Sequence, residues 1–199
     1  MRRTMRKARI AVLVSGGGTN LQALLDAQKS GILQSGEISL IISNNPKAYA
    51  LKRAERAGVR HLVLTGAEFE ARLEEALRES NIDLIILAGF MRILSAAFTA
   101  NWPNRILNVH PALIPSFCGK GFYGLRVHEA ALARGVKVTG ATVHFVNEIP
   151  DGGEIILQKA VEVLPDDTPE TLQRRVMEEA EWILLPQAAE RVSKGVIQA

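Results

Sequence analysis

Five short apolar runs, at residues 10–14, 38–42, 84–88, 106–109 and 142–146, constrain the fold of this 199-residue chain more than any other feature. Each is four or five residues long and nearly continuous, as strands are when both faces of a parallel sheet are covered. Helical spacing appears between them. Leu21, Leu24 and Leu25 share one face, and Phe69, Leu73, Ala76 and Leu77 recur at i, i+4, i+7 and i+8. This alternation points to an α/β fold, a doubly wound, mostly parallel sheet with helices on both faces. Residues 155–163 follow the fifth run after only a turn, so the sheet is expected to end in antiparallel strands near the C-terminus. Thr168-Pro169-Glu170 reads as a helix start, with Thr168 as N-cap and proline at the first position. That helix is expected to turn Leu172, Val176, Ala180 and Ile183 inward, and Pro186 to kink or break it.

Hydrophobic residues make up 47% of the chain, enough for one sizeable core, so residues 9–199 are expected to form a single domain behind a basic tail at 1–8. Arg2, Arg3, Arg6, Lys7 and Arg9 supply that tail; subtracting those five from the net charge of +3 leaves a mildly acidic body. No second basic cluster with interleaved aromatics follows, which argues against nucleic acid as a partner. The apolar run behind the tail is shorter than a secretory segment of roughly 7–15 residues or a membrane span of about 20. A cytoplasmic protein without a membrane partner is expected. The single cysteine, Cys118, excludes an intramolecular disulfide and a cysteine-rich metal site. His61, His128 and His144 lack metal-ligand spacing, so no metal is expected.

Three segments carry chemistry. Ser15-Gly16-Gly17-Gly18-Thr19-Asn20 joins the first strand to a helix, where glycines and a helix N-terminus favour an anion. It is not a dinucleotide fingerprint. Leu21 holds the third glycine position, Ser43-Asn44-Asn45 offers no acid for a ribose, and no lysine follows at P-loop spacing. A monophosphate or phosphoribosyl group fits; so does a plain tight turn. Phe90, Met91, Arg92, Ile93 and Leu94 leave a strand at its carboxyl end, where ligands bind in open α/β sheets, although the apolar ones also suit a core.

The third segment is Asn108-Val109-His110-Pro111, with Asp151-Gly152-Gly153 downstream. Asn108 and His110 alternate on one strand face, so amide and imidazole project together. Asn108 can donate to a developing oxyanion, and His110 can relay a proton near neutral pH. Asp151, which also suits a β-turn, can orient the ring and raise its pKa by opposite charge. An amide, an imidazole and a carboxylate are what acyl-type transfer onto an amine needs.

In this order the segments resemble the glycinamide ribonucleotide (phosphoribosylglycinamide) formyltransferase family, folate-dependent enzymes of purine synthesis. The resemblance runs through the Ser15, Asn44, Gly89 and Asn108 stretches, Thr142-Val-His-Phe-Val, Asp151-Gly-Gly, Ile155-Ile-Leu-Gln and Glu181. It implies a Rossmann-like formyltransferase fold and formyl transfer from 10-formyltetrahydrofolate, as co-substrate, to the amine of glycinamide ribonucleotide; the sequence leaves monomer or homodimer open. It implies Asn108, His110 and Asp151 as catalytic residues. Gly17, Gly18, Thr19 and Asn20, with Glu178 and Glu181, correspond to residues that hold the ribonucleotide. Met91, Arg92, Ile93 and Leu94, together with Asn108, Asn147, Glu148, Ile149, Pro150 and Asp151, correspond to residues around the folate. The loop at 116–124, with Cys118, is assigned no chemistry.

Overall fold

A computed structural model describes residues 6–198 of the chain. It divides into two compact units, Met1–Arg92 with Pro186–Ala199, and Ile93–Leu185. The first unit contains β1 (Ala8–Val14), α1 (Thr19–Ser30), β2 (Gly36–Ser43), α2 (Tyr49–Arg56), β3 (His61–Val63), α3 (Phe69–Glu79) and β4 (Leu84–Leu87). Its strands pair in parallel in the order β3-β2-β1-β4. β1 is central and buried from Ile10 to Val14, which is why its sequence is apolar without alternation. Neither α2 nor β3 stands out in the sequence. α2 buries only Ala50 and Ala54, and β3 is three residues with no buried position.

The second unit contains α4 (Ala96–Ala100), β5 (Ile106–His110), α5 (Leu125–Arg134), β6 (Val138–Phe145), β7 (Ile155–Glu162), α6 (Pro169–Val176) and a π-helical turn (Met177–Glu181). The expected antiparallel strands are present: β5 pairs with β6, and β6 with β7. Thr168 caps α6 as expected, its side chain accepting from the Thr171 N–H with Pro169 in the first turn.

One expectation at the C-terminus is corrected and another is narrowed. Leu172, Val176 and Ala180 are buried, but Ile183 is 39% exposed, and Leu184 and Leu185 are buried instead. The π turn accommodates one more residue than an α turn, so the inward face moves on by one position. Of the kink or break expected at Pro186, the break is absent: α7 runs from Trp182 through Pro186 to Gln198. The π turn just before it is the kind of local rearrangement through which helices accommodate a proline that cannot donate.

Of the expected basic tail, residues 1–5 lie outside the described residues. Arg6 pairs with Asp83, and Arg9 donates from its backbone to Asp83 and from Nε to the Ser80 carbonyl at 2.7 Å.

Candidate active site

β5 carries Asn108 and His110 to its last residues, so the histidine closes the strand rather than following it. The antiparallel register sets Asn108 opposite His144 and His110 opposite Thr142. Asn108 Nδ2 lies 3.2 Å from His144 Nε2, and His144 Nδ1 lies 2.7 Å from the Phe145 carbonyl. A carbonyl can only accept, so Nδ1 carries the proton and Nε2 of the neutral ring accepts from Asn108. One amide N–H of Asn108 is thereby tethered, which orients the other.

Asp151 meets both rings. Its Oδ2 is 3.6 Å from His110 Nδ1, and its Oδ1 is 3.5 Å from His144 Nε2. Asp151 holds a left-handed φ of 56°, and Gly153 follows where a Cβ would stand 1.8 Å from the Phe145 carbonyl oxygen. Glycine there lets Phe145 N–H donate to the Glu154 carbonyl at 2.9 Å, which closes the turn under the carboxylate.

Burial raises the Asp151 pKa, but the nearness of His144, the hydrogen bond from the Gly119 N–H and the His110 ring outweigh it and hold the group below the usual carboxylate value. For His110 the balance differs from expectation. Burial is the largest influence and lowers it, and together with the lowering from His144 it outweighs the raising by Asp151 and the Phe117 carbonyl, so the net shift is downward. The sequence shows the carboxylate but not the depth of the ring, which is 4% exposed.

The loop at 116–124, assigned no chemistry from sequence, closes over this cluster. His110 Nε2 lies 2.8 Å from the Phe117 carbonyl, so Nε2 carries the proton of the neutral ring and Nδ1 faces Asp151. Gly119 N–H donates to Asp151 Oδ2 at 2.8 Å. Burial, then Asp151, push the Cys118 thiol up, away from a reactive thiolate.

His144 is the residue that sequence reasoning missed. The signal was present: Thr142 and His144 alternate on β6, and a β5–β6 ladder brings that face against Asn108 and His110.

In the other unit the turn at 15–20 is braced from β2 and α2. Ser15 Oγ donates to Asn44 Oδ1 and accepts from the Met91 N–H. The Ser15 carbonyl accepts from Asn45 Nδ2 at 3.1 Å, the Gly16 carbonyl from Ala50 N–H at 3.1 Å, and the Gly17 carbonyl from Arg53 Nε at 2.8 Å. Gly18 has φ 72°, and a Cβ there would come 2.7 Å from that of Ala50. Thr19 and Asn20 open α1, with Asn20 buried.

The remaining expected residues are spread over both units. Arg92 donates to the Gly66 carbonyl and lies over the Phe69 ring at 4.6 Å. Met91 and Ile93 are exposed rather than core, at 55% and 74%, whereas Leu94 is buried. Asn147 is half-buried and accepts from the Ile149 N–H; Glu148, Ile149 and Pro150 are exposed. Glu178 is exposed and Glu181 buried on the π turn.

The family model described as formyl transferase matches residues 8–188. The human trifunctional purine biosynthetic protein adenosine-3 is 45% identical over 97% of this chain, which spans 19% of that protein. The chloroplastic phosphoribosylglycinamide formyltransferase of Arabidopsis thaliana is 38% identical over 87% of the chain and 62% of its own length. The chain thus spans about a fifth of the first relative and under two thirds of the second. The crystal structure of glycinamide ribonucleotide transformylase 1 from Symbiobacterium toebii superimposes with a TM-score of 0.88 at 45% identity, covering 95% of this chain and 89% of that one.

Proposed function

This chain belongs to the formyl transferase family, and from that premise we propose that it transfers the formyl group of 10-formyltetrahydrofolate to the amine of glycinamide ribonucleotide. The observation that carries the reading is the cluster in which Asn108 is hydrogen-bonded to His144 and the Asp151 carboxylate lies 3.5 and 3.6 Å from the rings of His144 and His110. The phosphoribosylglycinamide formyltransferase and glycinamide ribonucleotide transformylase among its relatives support the ribonucleotide as the acceptor. In this reading the folate is a co-substrate, no metal takes part, and the protein acts in de novo purine biosynthesis in the cytoplasm as a monomer or homodimer. Gly17, Gly18, Thr19 and Asn20 take the phosphate, and Glu178 and Glu181 the ribonucleotide. Met91 to Leu94 and Asn147 to Asp151 take the folate.

The amine nitrogen attacks the formyl carbon, and the carbonyl pair moves onto oxygen. Asn108 keeps one N–H on His144 and offers the other to that oxyanion. Removing a single such donor raises a barrier by about 3–4 kcal/mol. The His110–Asp151 pair accepts the proton that the amine loses, the carboxylate stabilising the imidazolium. The same proton goes to the folate nitrogen as its bond to the formyl carbon breaks, leaving tetrahydrofolate and the formylated amine.

The test is formyl transfer followed by absorbance, with wild type and Asn108→Ala side by side and a control lacking the ribonucleotide. Turnover that needs the ribonucleotide and falls about 100-fold or more in the variant supports the reading. Turnover without the ribonucleotide replaces it with a hydrolase. No turnover by folded protein overturns it.

A further inference from the structure

In a trans peptide the C=O of one residue and the N–H of the next point in opposite directions. Asn45, Ala50 and Arg53 hold the consecutive carbonyls of Ser15, Gly16 and Gly17 on the side of β2 and α2. The N–H groups of Gly16, Gly17 and Gly18 are therefore turned the other way. Among the described residues none of these three has an acceptor. Convergent N–H groups of this kind form a concave seat for an anion.

Of the three braces, Asn45 and the Ala50 backbone are neutral, and Arg53 alone is a cation. Arg53 also reaches past the turn, donating from Nη1 to Gln22 Oε1 in the first turns of α1 at 2.9 Å. The exposed ring of Tyr49 lies 5.2 Å from its guanidinium carbon and limits where the head can go. One guanidinium thus holds both the carbonyl just before Gly18 and the helix that follows it.

We propose that Arg53 is a positioning residue for substrate phosphate: it aims the Gly17–Gly18 peptide N–H at the phosphate and adds a positive charge behind the turn. The inference rests on the reading that this turn takes the ribonucleotide phosphate. A merely structural arginine would affect all substrates alike. A positioning role affects those that carry the phosphate.

Arg53→Gln and Arg53→Lys are compared with wild type in the full chain. The expected result for Arg53→Gln is a rise of about tenfold or more in KM for glycinamide ribonucleotide, with KM for the formyl folate little changed. Its kcat/KM for the unphosphorylated glycinamide riboside should move far less. Inorganic phosphate should raise the melting temperature of wild type and not of the variant. Lysine keeps the charge but cannot hold Gly17 and Gln22 together, so it should recover the loss only in part; if Arg53→Gln does not fold, this variant carries the test. Equal losses for ribonucleotide and riboside, or full recovery by lysine, overturn the positioning role. Phosphate protection equal in wild type and Arg53→Gln also overturns it, while leaving the phosphate turn in place. Wild type that phosphate does not protect, with ribonucleotide and riboside used equally, overturns the phosphate turn and the role of Arg53 with it.

Discussion

Asn108 donates through Nδ2 to Nε2 of His144 across the β5–β6 ladder, at 3.2 Å, while the far nitrogen of that imidazole is anchored on the Phe145 carbonyl. The amide is thus oriented by a ring whose tautomer the backbone dictates, and its second N–H has a defined direction before substrate arrives. Preorganised donors of this kind stabilise developing charge without reorganising during the reaction.

Replacing His144 with alanine should release the Asn108 amide. The expected outcome is a fall in kcat of about 10- to 100-fold with a smaller change in KM, since a supporting hydrogen bond and not the donor is lost. Single-turnover kinetics beside a thermal melt read this out; unchanged kcat in folded His144→Ala would show that the tether is dispensable.

The pH profile should carry the signature of a buried imidazole. Since His110 is shifted below 6.5 and Asp151 below 3.8, both are in their basic forms at neutral pH. If the pair accepts the amine proton, kcat/KM rises with pH through a value below 6.5 and is then level with respect to these groups. Asp151→Asn removes the charge that raises His110, so the acid limb should move to still lower pH as kcat drops. A limb falling from 6.5 upward would instead require a protonated His110.

His128 should set part of the acid stability. It is fully buried on α5, neither ring nitrogen has a partner among the described residues, and burial, then the nearness of His110, push it to about 4. Its folded pKa lies below the unfolded value, so the unfolded chain binds the extra proton, and stability is lost as pH falls from 6.5 towards 4. Between pH 7 and pH 5 this amounts to about 2 kcal/mol. Urea unfolding at both pH values should show that loss in wild type and a much smaller one in His128→Leu.

Two glycines should respond with opposite signs. A methyl group at Gly153 would overlap the Phe145 carbonyl, so Gly153→Ala must shift the turn that presents Asp151. A cost of about 1–3 kcal/mol is expected, with a fall in kcat. Gly195 lies within α7, and a Cβ there would meet nothing within 4 Å, so Gly195→Ala should stabilise by about 0.5–1 kcal/mol and leave turnover unchanged. Chemical denaturation and steady-state assays on both variants check the pair.

The sequence by itself determined what depends on local periodicity. Continuous apolar runs marked the buried strands, Thr168-Pro169 marked a helix start, and the spacing of Asn108 and His110 put amide and imidazole on one face. These follow because strand and helix repeats are properties of neighbouring residues. Only the tertiary structure decided which distant groups meet them. His144 reaches Asn108 across 36 residues, Gly119 reaches Asp151 across 32, and Arg53 reaches Gly17 across 36. Strand register, loop closure and the depth of burial set those meetings and the charge state of His110. The extra residue of the π turn likewise moved the buried face from Ile183 to Leu184 and Leu185. None of these has a local period, because each is the joint outcome of packing many segments at once.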